Sequence, residues 1–244
     1  MQLFAGKLHL MEKPTMKTTV RLSAILLLVL TSSIAFAQIA TKEINPSAFK
    51  NLSVGAAFEV ELIRGNTPKV VLEVDERYMD QVKVENKGET LSIMHVGRMT
   101  NPKKLKAIVT YTQLESLSGS GAVRISAREV INANNLNLSM SGASSLKANI
   151  ETRDLKIEAS GASKFDLQGT SQTANVTLSG ASKLDGLSLV VADAKMNVAG
   201  ASKASIHVTN SLDAVASGAS QINYKGNPGI TQKVSGASKL SYTG

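Results

Sequence analysis

The 244-residue sequence contains no cysteine. That absence excludes disulfides, thiolate nucleophiles and thiolate metal sites. It also excludes a lipid anchor on a cysteine behind a leader peptide. Aromatic residues make up only 4% of the chain, too few for the stacking platforms that hold single-stranded nucleic acid. Histidine is nearly missing. His9 falls in residues 1–15, ahead of the leader described below, and His95 and His207 lie in different halves with no Asp, His or Cys cluster beside either. Both read as ordinary structural histidines. No phosphate loop or dinucleotide fingerprint occurs. Ser118-Gly-Ser-Gly121 lacks the Gly-x-Ser-x-Gly spacing of a nucleophile elbow, and the calcium-binding Gly-Gly-x-Gly-x-Asp repeat is absent. The second half has no long run with the 3.6-residue period of a helix.

What the sequence does have is one phrase said repeatedly. Ser-Gly-Ala-Ser, usually followed by lysine, recurs around Gly142, Gly161, Gly180, Gly200, Gly218 and Gly236, with Ala199 replacing the first serine once. A variant, Ser120-Gly-Ala-Val-Arg124, precedes them at Gly121. Neighbouring glycines are 21, 19, 19, 20, 18 and 18 residues apart, and a period near twenty is the signature of a solenoid. Around each phrase, apolar and polar residues alternate. Leu155, Ile157 and Ala159 interleave with Lys156, Glu158 and Ser160; after Gly161, Phe165 and Leu167 interleave with Asp166 and Gln168. Period-two alternation marks half-buried strands, so each phrase sits between two short strands. Such a repeat has no room for a helix as well and cannot bury its own apolar face, so neighbours must stack. The sequence therefore predicts an all-β fold: a right-handed, single-stranded parallel β-helix with coils ~4.8 Å apart. The seven glycines occupy turns that need a positive φ or close backbone approach. The alanines form a ladder of small residues at a tight corner. The serines are expected to hydrogen-bond to the turn backbone or along the stack.

Taken in order, the chain opens with residues 1–15, which read as a mis-called start ahead of a true initiator at Met16. Residues 16–37 read as a signal peptide: a basic Met16–Arg21 segment, an apolar Leu22–Leu30 segment, and an Ala35-Phe36-Ala37 cleavage site. Cleavage after Ala37 would lower the formal charge from +8 to +5. The location implied is outside the cytoplasm: periplasm, cell surface or medium. Residues 38–118 alternate less regularly, with turns at Arg64–Pro68 and Asn86–Gly88. They read as an irregular β segment forming an N-terminal cap, continuous with the regular β-helix of 119–244 in one domain. At the other end a full repeat runs to Gly244. Either the final coil is blunted by its own residues or coil ends associate, giving a homo-oligomer.

The segment Ala48–Val54, then Phe58-Glu59-Val60 and Gly65–Val70, followed by Ser-Gly-Ser-Gly at 118–121 and the Ser-Gly-Ala-Ser repeats, resembles the head GIN domain of putative auto-transporter adhesins. That is a bacterial envelope domain of unknown function. The resemblance spans essentially the whole chain after the leader. It implies a right-handed parallel β-helix, export, and an adhesin-like or ligand-binding role. It carries no catalytic residues to transfer.

Two patterns bear on chemistry. Asp166 and Asp185 each lie five residues after a repeat glycine, so stacking would place them about 5 Å apart. They read either as a paired acid or cation site or as two solvated carboxylates beside Lys164 and Lys183. The second pattern is basic. Three residues after each glycine come Arg124, Ser145, Lys164, Lys183, Lys203, Gln221 and Lys239. The five cations should align along one edge, either as a binding stripe for an anionic glycan, lipid head group or envelope protein, or as charge that keeps a solenoid soluble. The reading that results is a non-enzymatic, exported binding protein without a cofactor or metal and without a nucleic-acid partner. The alternatives are a structural, self-associating envelope protein and, last, a polysaccharide-active enzyme.

Overall fold

The computed structural model describes residues 38–244; the leader and its cleavage site lie outside the described residues. In chain order the first strands are β1 (Ile39–Ile44), β2 (Asn51–Val54), β3 (Glu59–Arg64), β4 (Lys69–Asp75), β5 (Val82–Lys87), β6 (Thr90–His95), β7 (Leu105–Tyr111), β8 (Ser116–Gly119) and β9 (Arg124–Ala127). The repeats supply β10 (Ile131–Met140), β11 (Ser145–Ala159), β12 (Lys164–Leu178), β13 (Lys183–Val198), β14 (Lys203–Ala216), β15 (Gln221–Lys225), β16 (Gly229–Val234) and β17 (Lys239–Tyr242). Together they wind a β-solenoid of about 7 turns.

Each regular coil has a corner, one face, a second bend and another face. The Ser-Gly-Ala-Ser phrase is the corner. Alternation then turns Leu146, Ala148 and Ile150 inward on one face and Leu155, Ile157 and Ala159 inward on the other. Strands pair in parallel and in register, so interior residues stack in columns: Leu146 on Phe165, Phe165 on Leu184, Leu184 on Ala204, Ala204 on Ile222. The structure departs from two short strands per repeat. In β11 to β14 both faces belong to one continuous strand of 14 to 16 residues. The ladder survives the second bend because a buried hydroxyl satisfies backbone there. Thr152 donates to the carbonyls of Asn134 (3.1 Å) and Asp154 (3.2 Å), and Ser171 to those of Arg153 (3.3 Å) and Thr173 (2.6 Å). Repeat-length variation is absorbed away from the corner: the register shifts between Asp166 and Gln168, between Gly186 and Val190 and between Val191 and Asp193, and Leu187 stands exposed on the first face.

In the regular coils the corner glycine is required for a steric reason. Gly180 has φ +73°, and a Cβ there would lie 2.5 Å from the carbonyl oxygen of Gly161 in the coil before it. The space is taken because Ala181 N–H donates to that same oxygen at 2.7 Å. The alanine beside each glycine faces outward, and the serine after it faces inward, 1–2% exposed at Ser144, Ser163, Ser182, Ser202 and Ser220. Ser163 and Ser182 donate to the carbonyls three residues back, at 2.7 and 2.8 Å. Such hydroxyls let a tight turn be buried without orphaned acceptors.

The first half follows a different stacking order from its chain order. β2 and β3 form a coil whose corner holds Ala56 at φ +71°, in the place of the later glycines. That coil is clamped between two others. On one side it pairs with β6 and β7; on the other it pairs with β8 and β9, which lead into the repeats. The segment between leaves outward and closes the stack with antiparallel strands: β4 on β7, β1 on β4 and β5 on β6. At the end of β4, Asp75 is fully buried. Its carboxylate accepts from Arg77 Nη2 (2.6 Å) and Nε (3.0 Å), from Arg77 N–H (3.3 Å) and from Lys103 N–H (3.2 Å). These bonds, chiefly those from the Arg77 side chain, hold its pKa far below the usual carboxylate range.

Two predictions follow from the corner and from the cap. Gly88 has φ +60° but open space around it, so Gly88→Ala should cost only the left-handed strain, about 1–2 kcal/mol. Gly180→Ala adds the clash with Gly161 and should cost about 3 kcal/mol or more, read from urea unfolding; equal losses would refute the corner argument. For Asp75, a lowered folded pKa means stability that is present above the unfolded value of ~3.9 and is lost as pH falls below it toward the folded pKa. Asp75→Asn should be less stable at neutral pH and should flatten the acid limb of the stability profile below about pH 4.

Candidate functional site

The parallel register decides which surface residues share a row. Residues three past each corner glycine hydrogen-bond coil to coil as Glu59, Arg124, Ser145, Lys164, Lys183, Lys203, Gln221 and Lys239. All five cations therefore lie on one edge of one face, Lys164, Lys183 and Lys203 each next to a buried corner serine, Lys239 next to half-buried Ser238 and Arg124 next to Val123. Lys164, Lys183 and Lys203 occupy consecutive coils, ~4.8 Å apart at the backbone. Among the described residues only Lys183 of this row meets a carboxylate, Asp185 at 3.6 Å. Three neighbouring ammonium groups in water repel by up to about 1 kcal/mol per adjacent pair before screening. The row thus holds positive charge that its own neighbours leave largely unneutralised.

The row is narrow. On its corner side runs the exposed column Ala122, Ala143, Ala162, Ala181, Ala201 and Ala219. Two residues beyond it runs a second outward row: Glu61, Ser126, Lys147, Asp166, Asp185, Ser205 and Asn223. Asp166 and Asp185 are adjacent in register. Each has one lysine near it, Lys147 at 3.9 Å from Asp166 and Lys183 at 3.6 Å from Asp185. The sequence put Lys164 beside Asp166, but its neighbour is Lys147, from the preceding coil. Among the described residues no three His, Cys, Asp or Glu side chains converge as a metal site.

At the cap end of the same face the charges are spent on one another. Glu61 accepts from Lys106 at 2.9 Å and from Arg128, and these bonds, Lys106 first, lower its pKa. Lys106 continues the row beyond Glu59, a neighbour that sequence spacing does not give because β7 stacks out of order. The positive edge is therefore a property of the regular coils.

The histidines stay apart. His95 meets the edge of the Tyr78 ring at 6.0 Å in the cap, while His207 lies in register with Lys225 far along the repeats. The second bend carries a shallow open groove of about 490 Å³, lined by Asn132, Asn134, Glu151, Arg153, Thr170 and Gln172 among others. Sequence reasoning passed over it. The available signal was the broken alternation at Thr170–Thr173, four polar residues in a row, and at the Asn134-Asn135 pair. Its Arg153 is engaged by Asp154 at 2.8 Å and its Glu151 accepts from Asn132 at 3.3 Å, so the groove is close to neutral.

Residues 48–228 match the family described as "Putative auto-transporter adhesin, head GIN domain". The chain belongs to this family. Solved structures with the same fold include an adhesin-named protein from Bacteroides fragilis, TM-score 0.81 at 19% identity, covering 84% of this chain and 97% of that one. A second, named as a lipid-binding protein, comes from Parabacteroides distasonis, with TM-score 0.68, 20% identity, and 86% and 98% coverage. A third, again named an adhesin, comes from Parabacteroides merdae, with TM-score 0.65, 19% identity, and 86% and 98% coverage. At these identities the likeness establishes the fold. No curated protein matches the chain. The family and these neighbours carry adhesin and binding-protein names rather than enzyme names, and a head GIN domain is thus the frame in which the basic row is to be read.

Proposed function

We propose that this head GIN domain is an exported, non-enzymatic binding module, adhesin-like, that holds an envelope or extracellular ligand on one face of its solenoid. The observation that carries the reading is the in-register row Arg124, Lys164, Lys183, Lys203 and Lys239, largely without acidic partners. The in-register stack fixes the backbone spacing of the row before any ligand arrives, and each lysine gives up only its own side-chain freedom on binding. Export rests on the leader of residues 16–37 and on the adhesin naming of the family. The paired aspartates serve this module as flanking charge, with Lys147 and Lys183 beside them.

A second reading, self-association, is favoured by the last coil. Ile230 and Val234 occupy inward positions of β16, opposite buried Leu212 and Ala216, yet are 40% and 41% exposed.

One pair of measurements separates the two. The chain from Gln38 should bind anionic glycan or lipid surfaces at about 0.1 M salt and release them near 1 M, where the Debye length falls from ~10 to ~3 Å. Lys164→Glu with Lys183→Glu and Lys203→Glu should abolish that binding while the far-ultraviolet spectrum is unchanged. Binding that survives both changes would overturn the proposal. A salt-insensitive oligomer in sedimentation, dissolved by Leu240→Lys, would establish the second reading in its place.

A further inference from the structure

We infer that the groove at the second bend is a binding site of its own, separate from the basic row, and that its ligand is a neutral, hydroxyl-rich oligosaccharide. The inference goes beyond the reading of the row and does not depend on it.

The register builds the groove. Asn132, Glu151, Thr170 and Val190 form one outward row, coil on coil. Two residues further along the chain, Asn134, Arg153, Gln172 and Ala192 stand on the far side. Ala133, Thr152 and Ser171 run between the two rows as a floor. With Thr209 at its end, the groove reaches from β10 to β14, four coil steps or ~19 Å. Its volume of about 490 Å³ lies within the ~300–1,000 Å³ of small-ligand sites.

The lining offers amides and hydroxyls. Thr152 and Ser171 spend their hydroxyls on backbone carbonyls of the bend. Arg153 is held by Asp154, and Glu151 accepts from Asn132. Among the described residues this leaves the side chains of Asn134, Thr170 and Gln172 without a partner in the chain, and all three are exposed. Each can donate and accept, as a sugar hydroxyl can. A carboxylate or phosphate would find one cation already paired and would face Glu151. Toward β13 the lining turns apolar, with Val190 36% exposed and Ala192 beside it. Sugar rings carry C–H groups on their faces, and this patch can take them out of water.

Position argues the same way. Thr170 lies six residues beyond Lys164 on β12, ~20 Å along the strand. That is about two Debye lengths at 0.1 M salt, so the field of the basic row is screened at the groove. The groove also runs across the strands. A peptide that binds by strand addition needs a free edge, whereas the floor residues already pair coil to coil. Recognition here falls to side chains, which favours a glycan over an extended peptide.

The test titrates the chain from Gln38 with maltotetraose, cellotetraose and chitotetraose, beside an uncharged decapeptide of serine and asparagine, by calorimetry and amide NMR. At least one saccharide should bind with a Kd of about 1 mM or tighter, equally at about 0.1 M and about 1 M salt. Its binding should shift the side-chain amide resonances of Asn134 and Gln172. Thr170→Ala with Gln172→Ala, both at exposed positions, should weaken it about tenfold. The chain carrying Lys164→Glu, Lys183→Glu and Lys203→Glu should bind the saccharide as the native chain does. Saccharide binding lost in that lysine variant, unchanged affinity in the Thr170 and Gln172 variant, or tighter binding of the decapeptide would each overturn the inference. So would the absence of heat and shifts for all three saccharides at about 10 mM, ten times that Kd. None of these outcomes touches the basic row, which is tested by anionic probes.

Discussion

The structure depends on one hydrogen bond made at one kind of place. At each corner an amide N–H, that of the alanine after the glycine, reaches the carbonyl of the corner glycine in the preceding coil at 2.7–2.8 Å. A side chain on the glycine would occupy the acceptor's position. The bond itself contributes on the order of 1 kcal/mol. Its larger effect is geometric. It fixes where each coil begins, so every residue counted from the corner lands in a defined column. Register shifts fall beyond the aspartate row, on the first face where Leu187 bulges out and again near the second bend, and the columns nearest the corner stay aligned. The lysines sit in those columns, three residues from the glycine.

Interior and exterior then follow from the same count. The second residue after the glycine turns inward, and its serine hydroxyl satisfies turn carbonyls in a space too confined for water-filled slack. At the start of the stack, Phe58 and Val123 take this position. The interior column changes from apolar to hydroxylated as the irregular coils give way to regular ones. Charge changes over the same boundary. Toward the cap, Glu61 bridges Lys106 and Arg128; in the repeats, cations stand in file with fewer acids to answer them. One side of the molecule is thus organised for closure and the other for display.

What could be read in the sequence was whatever depends on local spacing. The twenty-residue glycine period, the inward alternation of Leu155 and Ile157, and the coil-to-coil alignment of Lys164 and Lys183 all follow from counting along the chain. What could not be read depends on contacts between distant segments. Nothing near Glu59 says that it will lie between Lys106 and Arg124, because the stacking of β2 and β3 is decided by strands that come later. Asp166 meets Lys147 of the preceding coil while Asp185 meets Lys183 of its own strand; counting along the chain supplies the second kind of partner and not the first. Thr152 and Ser171, polar residues turned inward, were invisible because alternation treats polarity as a sign of exposure.

The out-of-order coil also bears on how the molecule can be put together. Each repeat needs only the coil before it, so the second half can grow by addition of neighbours, as in other linear arrays. The coil of β2 and β3 has no such liberty. Both of its neighbours, β6–β7 and β8–β9, lie later in the chain, and its two faces stay uncovered until about residue 127 is present. The start of the chain is therefore the part that must wait. Growth of the solenoid has its foundation in a knot of long-range contacts, with high loop-closure cost, and any process that delivers the chain one end at a time must hold that first coil open until the segments that clamp it arrive.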